Sequence, residues 1–359
     1  MSARRSGRQR PVGIRDVASA AGVSVASASF ALNGQSGVAP ETRARILQAA
    51  ESLGYRANPQ AQALRRGRTN IFGMVVRNFS NPFFLDVMLG AEQVAGEVGA
   101  SLIVLDSQYS KELEEQQVRE MAGRHVQGLA IAPVGAGESL RLWQSLRPGA
   151  PAVALNAAIE GIDGVSRVAP DNATAVDAPV RRLAELGHES IAFLSAPRPL
   201  VADQDRLRRY RATMRDLGLS PLVLYAELSP AGVQDAATRL LRRADAPTAI
   251  VTNSDYVAHG VYKAARDLHL EVGPDLSVVG HDDLPTSELL EPPLSTVRVD
   301  RREMGRELMV RLLDDSVHED YVAPVEYVER ESVQTPFTGR SHAAMRAIDG
   351  TLGRHGSTR

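Results

Sequence analysis

The sequence predicts a small all-α N-terminal domain followed by a two-lobed α/β core built on two doubly wound parallel sheets. Three observations carry this expectation. Charge is segregated along the chain, the first sixty residues form short capped helical patterns, and everything after Ile71 alternates apolar strands with amphipathic helices.

At 359 residues, 43% of them hydrophobic, the chain is too long for one ordinary core. No run of about eighteen apolar residues occurs, and Met1–Arg10 has no apolar stretch behind its positive charges. A cytoplasmic, unsecreted protein with no membrane partner is therefore expected. The absence of cysteine removes disulfides, zinc–thiolate sites and Cys nucleophiles. Residues 1–69 hold eleven arginines against Asp16, Glu41 and Glu51, a net of +8; the chain's net −2 leaves −10 on the rest. A basic head on an acidic body points to a module that binds a polyanion, joined to one that binds something else.

In the head, Ile14, Val17, Ala18 and Ala21 fall at helical spacing, and Gly22 supplies the left-handed residue that ends the helix. Ser24 is an N-cap for a second helix from Val25 to about Leu32, closed by Asn33-Gly34. Two short helices around a four-residue turn with Gly make a helix-turn-helix pattern. A third helix runs from Pro40 to Gly54 and covers the other two through Ile46, Ala49, Ala50 and Leu53. On the second helix Ala28, Ala31 and Leu32 point inward, and Val25, Ala26, Ser29, Phe30 and Asn33 share the opposite face. Such a face suits the major groove, with methyls against thymine, hydroxyls and amides against base edges, and phosphate attraction left to the surrounding arginines. Asn58 and Pro59 then open a possible short helix, too short to be stable in water unless something packs against it.

In the body, "IFGMVV", "SLIVLD", "GLAIAP", "PAVALN", "SIAFLSA", "LVLYAE", "TAIVTN" and "LSVVGHD" are apolar strands in a parallel sheet pattern, too many for one small sheet. Two lobes with a cleft at the carboxyl ends of the strands follow. Neither G-x-G-x-x-G nor G-x-x-x-x-G-K-[ST] occurs, which argues against a dinucleotide enzyme or an NTPase; no cofactor is expected.

"IRDVASAAGVSVASASFALNG" followed by "VAPETRARILQAAESLGYRANPQAQALRRGRT" resembles the DNA-binding domain and hinge helix of the lactose-repressor (LacI/GalR) family of bacterial transcription regulators. "NFSNPFF", "PDNATA", "ELGHESIAFLS", "RLRRYRATMRDLG", "VVGHDD" and "PPLSTVRVD" look like the landmarks of its type I periplasmic-binding-protein-like core, to about residue 336. The resemblance implies a basic tail at 1–10, a helix-turn-helix domain at 11–57, a hinge at 58–69, a core at 70–336 and a tail at 337–359. Lobe 1 would take about 70–168 and 299–325, and lobe 2 about 169–298 and 326–336. It implies DNA contacts from Ile14, Val25, Ala26, Ser29, Phe30, Asn33, Thr42 and Arg43, and from Asn58, Ala61 and Leu64 of the hinge, Leu64 wedging into the minor groove. Phe30 stands where the family usually has a guanine-reading Arg. Effector contacts fall on Phe79, Asn81, Phe83, Arg206, Ser254 and Asp282, an Arg opposed to a carboxylate suiting a polyol. Ser254 stands where Asn is usual, Arg209 replaces a Gly, and Arg301 sits where an aromatic often stacks on sugar.

The expectation is a dimeric, sequence-specific regulator, most simply a repressor, that binds a palindromic double-stranded operator at the nucleoid and answers to a sugar-like effector. The rival is a solute-binding protein of a transporter, which has no use for residues 1–66. Plainer roles are expected elsewhere. Asp171 and Asn172 suit helix capping as well as ligand contact, and His281-Asp282-Asp283, three consecutive residues after a strand, make a poor metal site. The tail after Phe337 lacks the leucine heptads of a tetramerising coiled coil.

Overall fold

A computed structural model describes residues 12–55, 69–157, 159, 161–196, 201–314 and 316–336, with backbone only at 201–203. The expected hinge residues Asn58, Ala61 and Leu64 and both expected tails lie outside the described residues. The chain divides into two compact units, Met1–Thr69 and Asn70–Arg359.

Among the described residues the first unit holds three helices: α1 (Ile14–Ala20), α2 (Val25–Leu32) and α3 (Pro40–Ser52). Gly22 takes φ +64° after α1, Ser24 Oγ accepts from the Ser27 N–H at 3.0 Å to start α2, and Pro40 opens α3. Val17, Ala18, Ala21, Ala28, Ala31, Ile46 and Ala50 form one small core, with Leu32 packed against it. Five alanines in that core keep the helices close.

In the second unit β1 (Ile71–Val76), α4 (Phe83–Glu97), β2 (Ser101–Asp106), α5 (Lys111–Gly123), β3 (Leu129–Ile131), α6 (Glu138–Leu146), β4 (Ala152–Leu155) and β5 (Val165–Pro170) follow in order. They build the first sheet, all parallel, in the order β11-β5-β4-β3-β1-β2, where β11 is Tyr321–Ala323. Next come α7 (Asn172–Glu185), β6 (Ile191–Ser195), α8 (Val201–Asp216), β7 (Leu222–Tyr225), α9 (Pro230–Leu241), β8 (Ala249–Val251), α10 (Asp255–Asp267) and β9 (Ser277–Val279). The second sheet is parallel in the order β7-β6-β8-β9. A strand β10 (Thr296–Val299) leads back to α11 (Arg301–Leu313) on the first sheet, and β12 (Val325–Val328) pairs antiparallel with β10.

Each sheet is covered on both faces, as continuous apolar strands require. The chain passes between the lobes after β5, after β10 and after β11, so three connections run beside the cleft. The eight expected strands are present. β5, β10, β11 and β12 are additional, because their residues alternate or are short and polar, as in the half-buried pattern of "VSRVAP".

Candidate functional site

The outward face of α2 is bare. Val25 is 42% and Phe30 45% exposed in a unit whose core is otherwise small and closed, and Ala26 is exposed beside them. Ser29 and Asn33 are half-buried, and the Asn33 amide donates to Ser29 O at 2.8 Å and Ser29 Oγ at 3.2 Å. Thr42 is half-buried on the first turn of α3. Two expected DNA contacts have other work. Ile14 packs against the domain core. Arg43 donates from Nη1 to Ala31 O at 3.1 Å and from Nη2 to Gln35 O, so its guanidinium braces the carbonyl end of α2 against α3.

In the core unit, polar side chains converge between the lobes. Arg77 follows β1, Asn156 follows β4, Asn253 and Ser254 follow β8, and Asp282 follows β9, all at carboxyl ends of parallel strands. Asn81 and Phe83 close the lobe 1 side at the start of α4, and Arg206 enters from α8. Free space there is about 40 Å³, enough for a few waters. Arg206 is 4% exposed and is fixed at both edges: Nε donates to Asn172 Oδ1 and Nη1 to Asn253 O, each at 2.8 Å. The Asn156 Oδ1, buried in the cleft wall, has no hydrogen-bond partner among the described residues. Burial pushes the Asp282 carboxyl well above the usual carboxylate range, a shift that Asp255 reinforces and Arg206, Arg301 and Arg77 oppose. Together the groups offer both donors and acceptors to hydroxyls.

Several expected residues also shape the starts of helices. Asn81 Oδ1 accepts from the Phe83 N–H at 3.0 Å, and Ser254 Oγ accepts from Val257 at the start of α10. Asp171 caps α7 through the Ala173 and Thr174 N–H groups, and Asn172 orients Arg206 instead of facing the cleft. Phe79 is a correction: 50% exposed on its loop, it does not line the cleft. Arg301 is held by Asp86 and by main-chain carbonyls rather than lining the cleft as a stacking surface. Arg77, Asn156 and Asn253 were not anticipated, although each follows an apolar strand, the signal that would have found them. Among the described residues no group of His, Cys, Asp and Glu is placed to hold a metal ion.

A wider groove of about 470 Å³ lies between α8 and the β5–β11 edge. Its cations are already neutralised, Arg167 by Asp320 at 2.5 Å, Arg209 by Asp177 at 3.1 Å and Arg208 by Asp205, so the small cleft with its convergent polar groups is the better ligand site.

Residues 13–58 match the family described as bacterial regulatory proteins, lacI family, and residues 180–333 match the periplasmic binding protein-like domain. The chain is similar to the HTH-type transcriptional regulator MalR of Streptomyces coelicolor, 31% identical over 341 residues that cover 89% of this chain and 96% of that protein. It is also similar to the ribose operon repressor of Escherichia coli, 29% identical over 84% of this chain and 91% of that one. Among solved structures, the lac repressor dimer bound to operator and the anti-inducer ONPF superposes with a TM-score of 0.82 at 26% identity, over 90% of this chain and all of that one. A CelR–cellobiose complex gives 0.67 at 28% identity over the same shares of the two chains.

Proposed function

This chain belongs to the lacI family of bacterial regulatory proteins, and from that premise we propose that it is a repressor that binds a palindromic operator as a dimer and releases or grips it according to a polyol in the cleft. It is a DNA-binding transcription regulator rather than an enzyme. The observation that carries the operator reading is the bare face of α2, where Val25, Ala26 and Phe30 stand exposed on a helix that Ser24 caps. A rigid helix with small and apolar groups outward fits a major groove. For the effector, Arg206 and Asp282 face one cleft with amide groups between them, the arrangement that grips a hydroxyl by giving one hydrogen bond and taking another. The sugar-bound relative supports that class. Dimerisation is favoured by Leu85 and Leu89 one turn apart on the exposed side of α4 and by Leu289, 81% exposed.

Selecting bound sites from a random DNA library tests the reading. Two inverted half-sites at a fixed spacing are expected, with binding that shifts on adding ribose, cellobiose or another polyol from a panel. Recovery of no common sequence would overturn the operator assignment, and a solute-binding protein would show sugar binding alone.

A further inference from the structure

Arg301 opens α11 on lobe 1, and its side chain is only 10% exposed. Nε and Nη2 both reach Asp86 Oδ2 on α4, at 3.0 and 2.8 Å, while Nη1 donates to the carbonyls of Asp282 and Asp283 on the lobe 2 loop. One planar guanidinium therefore ties a lobe 1 helix to the loop that carries the cleft carboxylate. That loop needs holding. Asp282 has φ +112° and Asp283 φ +52°, two consecutive non-glycine residues in the left-handed region, which persists only where surroundings over-determine it. Arg298 and Arg330, from the β10–β12 side, grip the Asp283 carboxylate at 2.7 and 2.8 Å, leaving Arg301 to hold the main chain.

We propose that Arg301 is a positioning residue that aims the Asp282 carboxylate into the cleft by bonding Asp86 and the Asp282–Asp283 carbonyls at once, and so couples the cleft to α4. The coupling is stiff because α4 and α11 touch through backbone at two glycines: a Cβ on Gly90 would lie 2.0 Å from Arg302 O, and one on Gly305 2.0 Å from Val87 O. Asp86 neighbours the exposed Leu85, so a shift of the loop reaches the outer face of α4. The coupling holds for any ligand of the cleft and does not depend on the polyol reading.

Hydrogen exchange of the full-length protein tests it without a ligand. The Asp282 amide is bonded to Val297 O and the Leu284 amide to Asp255 Oδ2, so both are protected. Asp86→Asn and Arg301→Lys are each expected to speed exchange across 282–284 by about tenfold, and the double variant no further, because both cut one link. Arg302→Gln removes only a 3.4 Å contact to Asp86 and should leave the loop at wild-type rates. Acceleration by Arg301→Lys without Asp86→Asn would overturn the coupling to α4. An unchanged loop in both, or a uniform rise through the whole core, would overturn the positioning role.

Discussion

Phe30 carries no hydrogen-bond donor, and its ring lies over the turn after α2, where a Cβ on Gly37 would come within 3.9 Å of it. A phenyl can press on a thymine methyl but cannot pair with guanine O6 or N7. Phe30→Arg is therefore expected to tighten half-site selection for guanine by about 1–3 kcal/mol, as read from binding to randomised half-sites. Equal preference for guanine in both proteins would place the reading face elsewhere. A different residue-scale prediction concerns Asp255, which is buried and accepts from Leu284 N at 2.8 Å and from the Ser287 and Thr296 hydroxyls at 2.6 Å. Burial raises its pKa from 3.8 to about 6 against those bonds. Between these values the folded chain binds more protons than the unfolded one, so this group's contribution to stability falls as pH rises from about 4 to 6, by on the order of 3 kcal/mol. Burial lowers the pKa of His188, His259 and His281, which pushes the total the other way, so the difference curve isolates Asp255. Urea titrations should show Asp255→Asn gaining on the wild type across that window and holding level above it. A flat difference would mean that the carboxyl is ionised throughout.

At the scale of elements, α4 and α11 give opposite answers to the same substitution. An exposed helix glycine changed to alanine gains up to about 1 kcal/mol in propensity, while overpacking costs about 1–3 kcal/mol. Gly305 has Val87 O at 2.0 Å from its would-be Cβ, whereas a Cβ built on Gly96 meets no described atom within 4 Å outside its own stretch of helix. Gly305→Ala should lower the melting temperature of the core and Gly96→Ala should raise it slightly; the same sign for both would contradict the close backbone packing. The helices of the first unit were legible to within a residue or two, because Gly22, Ser24, Asn33 and Pro40 act within one turn of the ends they set. β11 was not: it pairs Tyr321 with Val168, a partnership that no local periodicity announces.

Over the whole molecule, the +8 of residues 1–69 sets an electrostatic expectation. If two subunits together neutralise roughly six to ten phosphates, raising salt from about 50 to 200 mM should weaken DNA binding about a thousandfold or more. Fluorescence anisotropy on a labelled operator measures this directly, and a response flat in salt would remove phosphate attraction from the mechanism.

By itself the sequence determined the class of both units, the capped helices of the head, the eight apolar strands, and the pairing of Arg206 with Asp282 as cleft groups through family resemblance. These follow from periodicity, capping and motif, which act over a few residues or are written in consecutive ones. Tertiary structure alone decided which side chains line the cleft and which are bonded or packed elsewhere. It turned Ile14 and Arg43 inward, left Phe79 outside the cleft, brought Arg77, Asn156 and Asn253 into it, and assigned Arg301 to Asp86. Each of those outcomes depends on an acceptor or a packing partner supplied by another element, in the case of Arg301 one 215 residues away, and long-range partners of that kind leave no local pattern in the chain.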